Sequence, residues 1–214
     1  MAPVTIKSVI FDFGGVLIDD PVPGIVRYCA DYLKADPDDF RRVCWKYAPE
    51  FQKGAVAEDV FWRKICSELG KEQPRSASLW SEAFESAYSE KEDMFALASF
   101  LHGNGYKTGL LSDTEKPSVR FFLSKKYDMF DVLVFSCVEG EIKPGKRIYE
   151  IALQKIGLRP EETIFIDDKS ANIRSAIDMN MNGIVFRNPM QVMMDLRSFS
   201  IDIPAGLLGK RYCR

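Results

Sequence analysis

The stretch Val9-Ile10-Phe11-Asp12-Phe13-Gly14-Gly15-Val16 constrains the fold more than any other part of the chain. A short apolar, β-rich run stops at an acid, and two glycines follow. The run reads as a buried strand over residues 6–11. The glycines let the backbone turn sharply and come close to a ligand without Cβ interference. An acid at the tip of such a strand lies where open α/β sheets place their ligands.

The rest of the chain supplies a sheet for that strand. Strand patterns at 106–111, 132–136, 163–166 and 184–186 alternate with helix patterns. The helices fall near Pro117–Lys126, from Lys143-Pro144 to Ile156, and over residues 170–180, with a last one after Pro189. Ile173, Ala176 and Ile177 are the expected buried face of the third, and Met190, Met193, Met194 and Leu196 the expected core side of the last. Such alternation predicts an α/β fold, a Rossmann-like parallel sheet with helices on both faces.

Residues 22–90 break the alternation. Phe40, Val43, Cys44 and Tyr47 share one helical face. Phe61, Ile65 and Leu69 share a second, closed by Gly70, and Leu79, Trp80, Ala83, Phe84 and Ala87 a third. Pro37, Pro49 and Pro74 are expected between helices. The predicted division is an α/β core of residues 1–19 and 91–214 with an all-helical insertion at 20–90. Trp45, Trp62 and Trp80 lie in the insertion and are expected to pack there.

Composition excludes some classes of function. A net charge of -2 over 214 residues, with no Lys/Arg block, gives no reason to expect nucleic acid or a membrane surface as partner. No apolar run is long enough to span a bilayer, and none near the start reads as a signal peptide. Cys29, Cys44, Cys66, Cys137 and Cys213 have irregular spacing and read as reduced thiols, so a cytoplasmic location is expected. The single histidine, His102, falls at a helix C-terminus, where a basic group is favourable without any chemistry.

The strand ends carry the chemistry. In a parallel sheet Asp12, Ser112, Asp113, Asp167 and Asp168 share one edge, with Lys143 in the loop after the third strand. Singly, each acid reads as a turn or cap residue. Together the carboxylates repel one another, and an all-oxygen site relieved by a cation suits Mg2+ beside a phosphate oxygen.

Phe11-Asp12-Phe13-Gly14-Gly15-Val16-Leu17, Leu111-Ser112-Asp113, Lys143-Pro144 and Ile166-Asp167-Asp168 resemble, in order, the four motifs of the haloacid dehalogenase-like hydrolase superfamily. The insertion resembles the helical cap of its phosphatase-like branch. The resemblance implies that Asp12 is nucleophile and metal ligand, and that the Gly14 carbonyl, Asp168 and, directly or through water, Asp167 complete a Mg2+ site. It implies that Ser112, with Asp113 beside it, and Lys143 meet the phosphoryl group, joined by backbone N–H groups at Gly14 and Gly15. The implied substrate is a small phosphorylated metabolite.

Gly14 departs from that pattern, because phosphatases of the superfamily usually carry a second aspartate there as general acid and base. Its loss should slow poor leaving groups most. Asp19 and Asp20 are the nearest acids that could substitute. A weak or leaving-group-selective phosphatase therefore ranks first, a binding protein without turnover second. A metal-independent haloacid dehalogenase ranks third, since Asp167-Asp168 would burden its site with negative charge.

Overall fold

A computed structural model describes residues 4–207. Five parallel strands form one sheet in the order β3-β2-β1-β4-β5. They are β1 (Ser8–Phe11), β2 (Lys107–Ser112), β3 (Val132–Phe135), β4 (Thr163–Asp167) and β5 (Asn182–Val185). Side chains alternate faces along each strand, and both faces are covered, so the strands read as continuous apolar runs. On β1, Val9 and Phe11 join one core cluster, whereas Ile10 joins the other with Leu111, Tyr149 and Phe165. β1 and β4 run in register, Phe11 opposite Ile166, so Asp12 and Asp167 leave the sheet side by side.

Four helices stand between β1 and the rest: α1 (Val22–Leu33), α2 (Pro37–Gln52), α3 (Glu58–Leu69) and α4 (Leu79–Ala87). They form an inserted helical cap with its own aromatic centre. Phe51 stacks on Phe61 at 4.3 Å, and Trp80 meets both rings edge-on. Two chain segments join cap to core and hold each other. Asp19 N–H donates to the Ser89 carbonyl, Lys91 N–H to that of Leu17, and Lys91 pairs with Asp19 at 2.9 Å. The core helices are α5 (Glu92–Gly103), α6 (Lys116–Ser124), α7 (Ser136–Glu139), α8 (Lys146–Ile156), α9 (Ser170–Asp178) and α10 (Pro189–Ser198).

Several expectations change. Lys143-Pro144 does not open a helix; α8 starts at Lys146, which leaves Lys143 in a loop free to reach inward. Pro49 lies inside α2 rather than between helices, one turn from its end, where few backbone bonds remain to be lost. Ile177 and Met194 are exposed, each one residue past a buried neighbour and so turned about 100° off the core face. Trp62 and Trp80 pack as expected, but Trp45 is 51% exposed. Cys29, Cys44, Cys66 and Cys137 are buried free thiols; Cys213 and most of the last ten residues lie outside the described residues. Among the described residues, no helix is long and apolar enough to cross a membrane.

One buried acid fastens the lower edge of the sheet. Glu162, just before β4, receives Lys7 at 2.6 Å, the Arg159 side chain at 3.2 Å and the Arg159 N–H at 3.1 Å. These donors hold its carboxyl down at about 2 from an ordinary 4.5. A depressed folded value means stability that is present above the unfolded value and lost as pH falls through the folded one. Glu162→Gln should therefore lower the thermal midpoint at pH 7, and the gap to wild type should close between about 4.5 and about 2. Melting curves across that range check it; a gap independent of pH would contradict the ion-pair account.

Candidate active site

The C-terminal edge of the sheet gathers the acids around one ammonium. Lys143 Nζ lies 2.8 Å from Asp12 Oδ1, 2.8 Å from Asp167 Oδ2 and 3.2 Å from the Leu111 carbonyl. All three charged side chains are buried. Burial works against the charge of Lys143, but Asp12, Asp167 and Asp113 outweigh it and hold the ammonium above its ordinary value.

The acids differ in what they have left to offer. Asp167 is saturated: Oδ1 accepts Lys169 N–H at 2.8 Å and Asn172 Nδ2 at 3.0 Å, and Oδ2 accepts Asn172 Nδ2 at 2.9 Å besides Lys143. Burial opposes its charge, yet Lys143 and these donors keep its carboxyl below the ordinary value. Asp12 accepts Phe13 N–H at 2.7 Å and Lys143, both on Oδ1. Burial pushes it up to about 7 against the pull of Lys143, and the neighbouring Asp167 adds to the rise. Asp168 Oδ1 is buried and has no hydrogen-bond partner, and burial raises its carboxyl too.

One oxygen from each of Asp12, Asp167 and Asp168 lies within 4.8 Å of the others. A buried carboxylate oxygen without a donor is costly unless a cation meets it. The donor set is all oxygen and anionic, which fits Mg2+ and does not fit a thiolate- or imidazole-seeking metal. The three aspartates therefore form a candidate Mg2+ site. Gly15 makes room for it: its φ is +86°, and a Cβ there would stand 2.7 Å from Asp168 Oδ2.

The other expected residues fall around this cluster. Ser112 ends β2, is buried, and lines a cavity of about 260 Å³ between core and cap, together with Gly14 and Asp113. Asp113 Oδ1 accepts Lys143 N–H at 3.0 Å, so this acid fixes the Lys143 loop. Asp19 and Asp20 do not line the cavity. Both are exposed, Asp19 pairing with Lys91 and Asp20 accepting Val22 N–H at 3.1 Å. Neither stands in for an acid at Gly14.

Sequence reasoning missed three residues. Asn172 grips Asp167 from the first turn of α9, and its spacing five residues on was the available signal. Ser136 accepts Thr114 N–H at 2.8 Å and donates to the Gln52 carbonyl at 2.7 Å, tying the loop after β2 to the cap. Glu115, in the same loop, is buried in the cavity wall.

Comparison with known proteins agrees with this geometry. Residues 6–180 match the haloacid dehalogenase-like hydrolase family. The chain is 28% identical over 203 residues to Acyl-CoA dehydrogenase family member 10 of Mus musculus, covering 90% of this chain but only 19% of that protein. It is 26% identical over 196 residues to Sesquiterpene phosphatase astK of Aspergillus oryzae, covering 90% of this chain and 96% of that one. A HAD family enzyme of Bacteroides thetaiotaomicron, solved in complex with magnesium and inorganic phosphate, superposes with a TM-score of 0.71 at 21% identity, over 85% of this chain and 94% of the other. At that identity the likeness is one of fold.

Proposed function

The chain belongs to the haloacid dehalogenase-like hydrolase family, and from that premise we propose that it hydrolyses a small phosphomonoester with Mg2+, through an aspartyl-phosphate on Asp12. The observation that carries this reading is the unpaired, buried Asp168 Oδ1 beside an Asp12 already held by Lys143. A metal-independent dehalogenase has no use for that oxygen. The phosphatase name of a relative covered almost end to end supports the same choice.

In this reading Asp12, the Gly14 carbonyl and Asp168 hold the ion. Asp167, its oxygens already filled, orients Lys143 and reaches the ion at most through water. Bound there, Mg2+ would supply positive charge to the phosphoryl group. Asp12 attacks phosphorus through the oxygen that Lys143 leaves open, and the ester P–O bond breaks as the new one forms. Ser112 donates to a phosphoryl oxygen, and Lys143 neutralises charge in the transition state. The N–H groups at Gly14 and Gly15 add donors, with Asp113 bracing the Lys143 loop beside them. The departing oxygen leaves as its anion and takes a proton from solvent; water then attacks the acyl phosphate, which releases inorganic phosphate and returns Asp12 as a carboxylate. The cap keeps bulk water away meanwhile.

Gly14 shapes the selectivity. It has no proton to give a departing alkoxide, and the nearest downstream acids point elsewhere. Aryl and acyl phosphates, whose leaving groups need little protonation, are the expected good substrates.

Two outcomes check the reading. Turnover of para-nitrophenyl phosphate should need Mg2+, stop with chelator, and fall roughly 10³-fold or more in Asp12→Asn. Activity indifferent to both would sink it, and phosphate binding without any turnover would favour a binding protein. Gly14→Asp should raise turnover of alkyl phosphates about tenfold or more, while aryl phosphates gain little. A Cβ there meets only the Pro21 ring, nearest at 3.2 Å, which a few tenths of an ångström relieve. An equal effect on both ester classes would refute the role given to the missing acid.

A further inference from the structure

We propose that the cavity beneath the cap selects phosphomonoesters whose organic part carries a positively charged nitrogen, with Glu115 as its counter-charge. This rests on the hydrolase reading above and names its substrate class.

The cavity, about 260 Å³, has two unlike regions. Gly14, Ser112 and Lys169 line it beside the acid cluster, where a phosphoryl group would sit. Among the described residues Lys169 is the only cationic side chain in its lining, and it follows directly on Asp168. Most of the remaining wall is apolar and aromatic, with Phe13, Ile25, Val26, Trp45, Trp80 and Phe84, while Gln52, Asp113 and Thr114 add polar groups. Such a wall suits a hydrocarbon, yet a carboxylate interrupts it. Glu115 is 5% exposed.

Its partners are all neutral. Trp80 Nε1 donates to Oε2 at 3.0 Å, Ser118 Oγ lies at 3.5 Å, and the Gln52 amide also acts on the carboxylate. No Lys, Arg or His forms an ion pair with it among the described residues, and its one charged neighbour of note, Asp113, is another acid. Buried carboxylates without a cation are costly, and a pocket for a purely apolar group would gain by lacking one. Burial accordingly pushes Glu115 up to about 7.

Glu115 already has hydrogen-bond donors; what it lacks is positive charge. An onium group in this space would meet the carboxylate through a poorly screened medium and would lie against aromatic faces, which attract cations further. A carboxylate on the substrate would be repelled by both Glu115 and Asp113.

The test uses two competitors of para-nitrophenyl phosphate at saturating Mg2+. One is phosphocholine; the other is the isostere in which a quaternary carbon replaces the nitrogen. Both carry the same phosphate, so inhibition compares binding alone, whatever their leaving-group quality. Phosphocholine should inhibit about tenfold or more tightly. In Glu115→Gln, which keeps an acceptor for Trp80, the two constants should converge to within about twofold. Equal inhibition by both compounds in wild type, or a preference that survives in Glu115→Gln, would overturn the proposal while leaving the hydrolase reading intact. Absence of para-nitrophenyl phosphate turnover would instead overturn the reading beneath it. The wild-type comparison stands even if the variant fails to fold.

Discussion

The site depends on one buried ammonium shared between acids from two adjacent strands. Lys143 reaches 2.8 Å from both Asp12 and Asp167, in a place where an unpaired charge of either sign would be prohibitive. The parallel register of β1 and β4 puts the two acids side by side, and the loop before α8 supplies the cation. Removal of any one member strands the others. Asp168 lies outside this balance. Its buried oxygen has no donor, and the cluster is therefore complete as an ion-pair network but not as a set of carboxylates. A divalent cation resolves the mismatch.

Around this centre the fold separates two tasks. The sheet edge fixes charge with little freedom, since Asp167 is held by Lys143, Lys169 and Asn172. The cap supplies the walls of the cavity and touches the core through few polar contacts, of which Ser136 to the Gln52 carbonyl and Trp80 to Glu115 are two. Both engage the loop that follows Ser112. Cap position and the sheet edge are thus joined through residues 112–115. Specificity is expected to follow from cap and loop, and the chemistry from the sheet edge.

Most of this frame was legible in the sequence. Strand patterns ending in Asp12, Ser112 and Asp167 required only short β-rich apolar runs and the rule that parallel strands present their ends together. The helical insertion followed from apolar spacing. Boundaries shifted where local signals conflict with tertiary demands: Pro49 reads as a breaker but sits where α2 is nearly finished, and Lys143-Pro144 reads as a helix start but is needed as a loop. Ile177, Met194 and Trp45 counted as apolar, yet a residue type does not say which way a helix turns it. Asp19 and Asp20 were close to the site in the chain, but the cap linker carries them away from it. Asn172 and Glu115 were missed for the opposite reason, although the spacing of Asn172 from Asp167 offered a faint signal. Their importance lies in the partners they meet, and the partner of Glu115, Trp80, is 35 residues distant, which no local pattern records.

The central claim is that the three aspartates and Lys143 form a site completed by Mg2+, with Asp168 as the ligand lacking any other partner. Calorimetric titration of Mg2+ into the wild-type chain and into Asp168→Asn tests it without reference to turnover. The wild type should bind one ion per chain, and the variant should bind it at least about tenfold more weakly, a loss of about 1.4 kcal/mol or more. Equal affinity in the two proteins, or no binding to the wild type, would contradict the account.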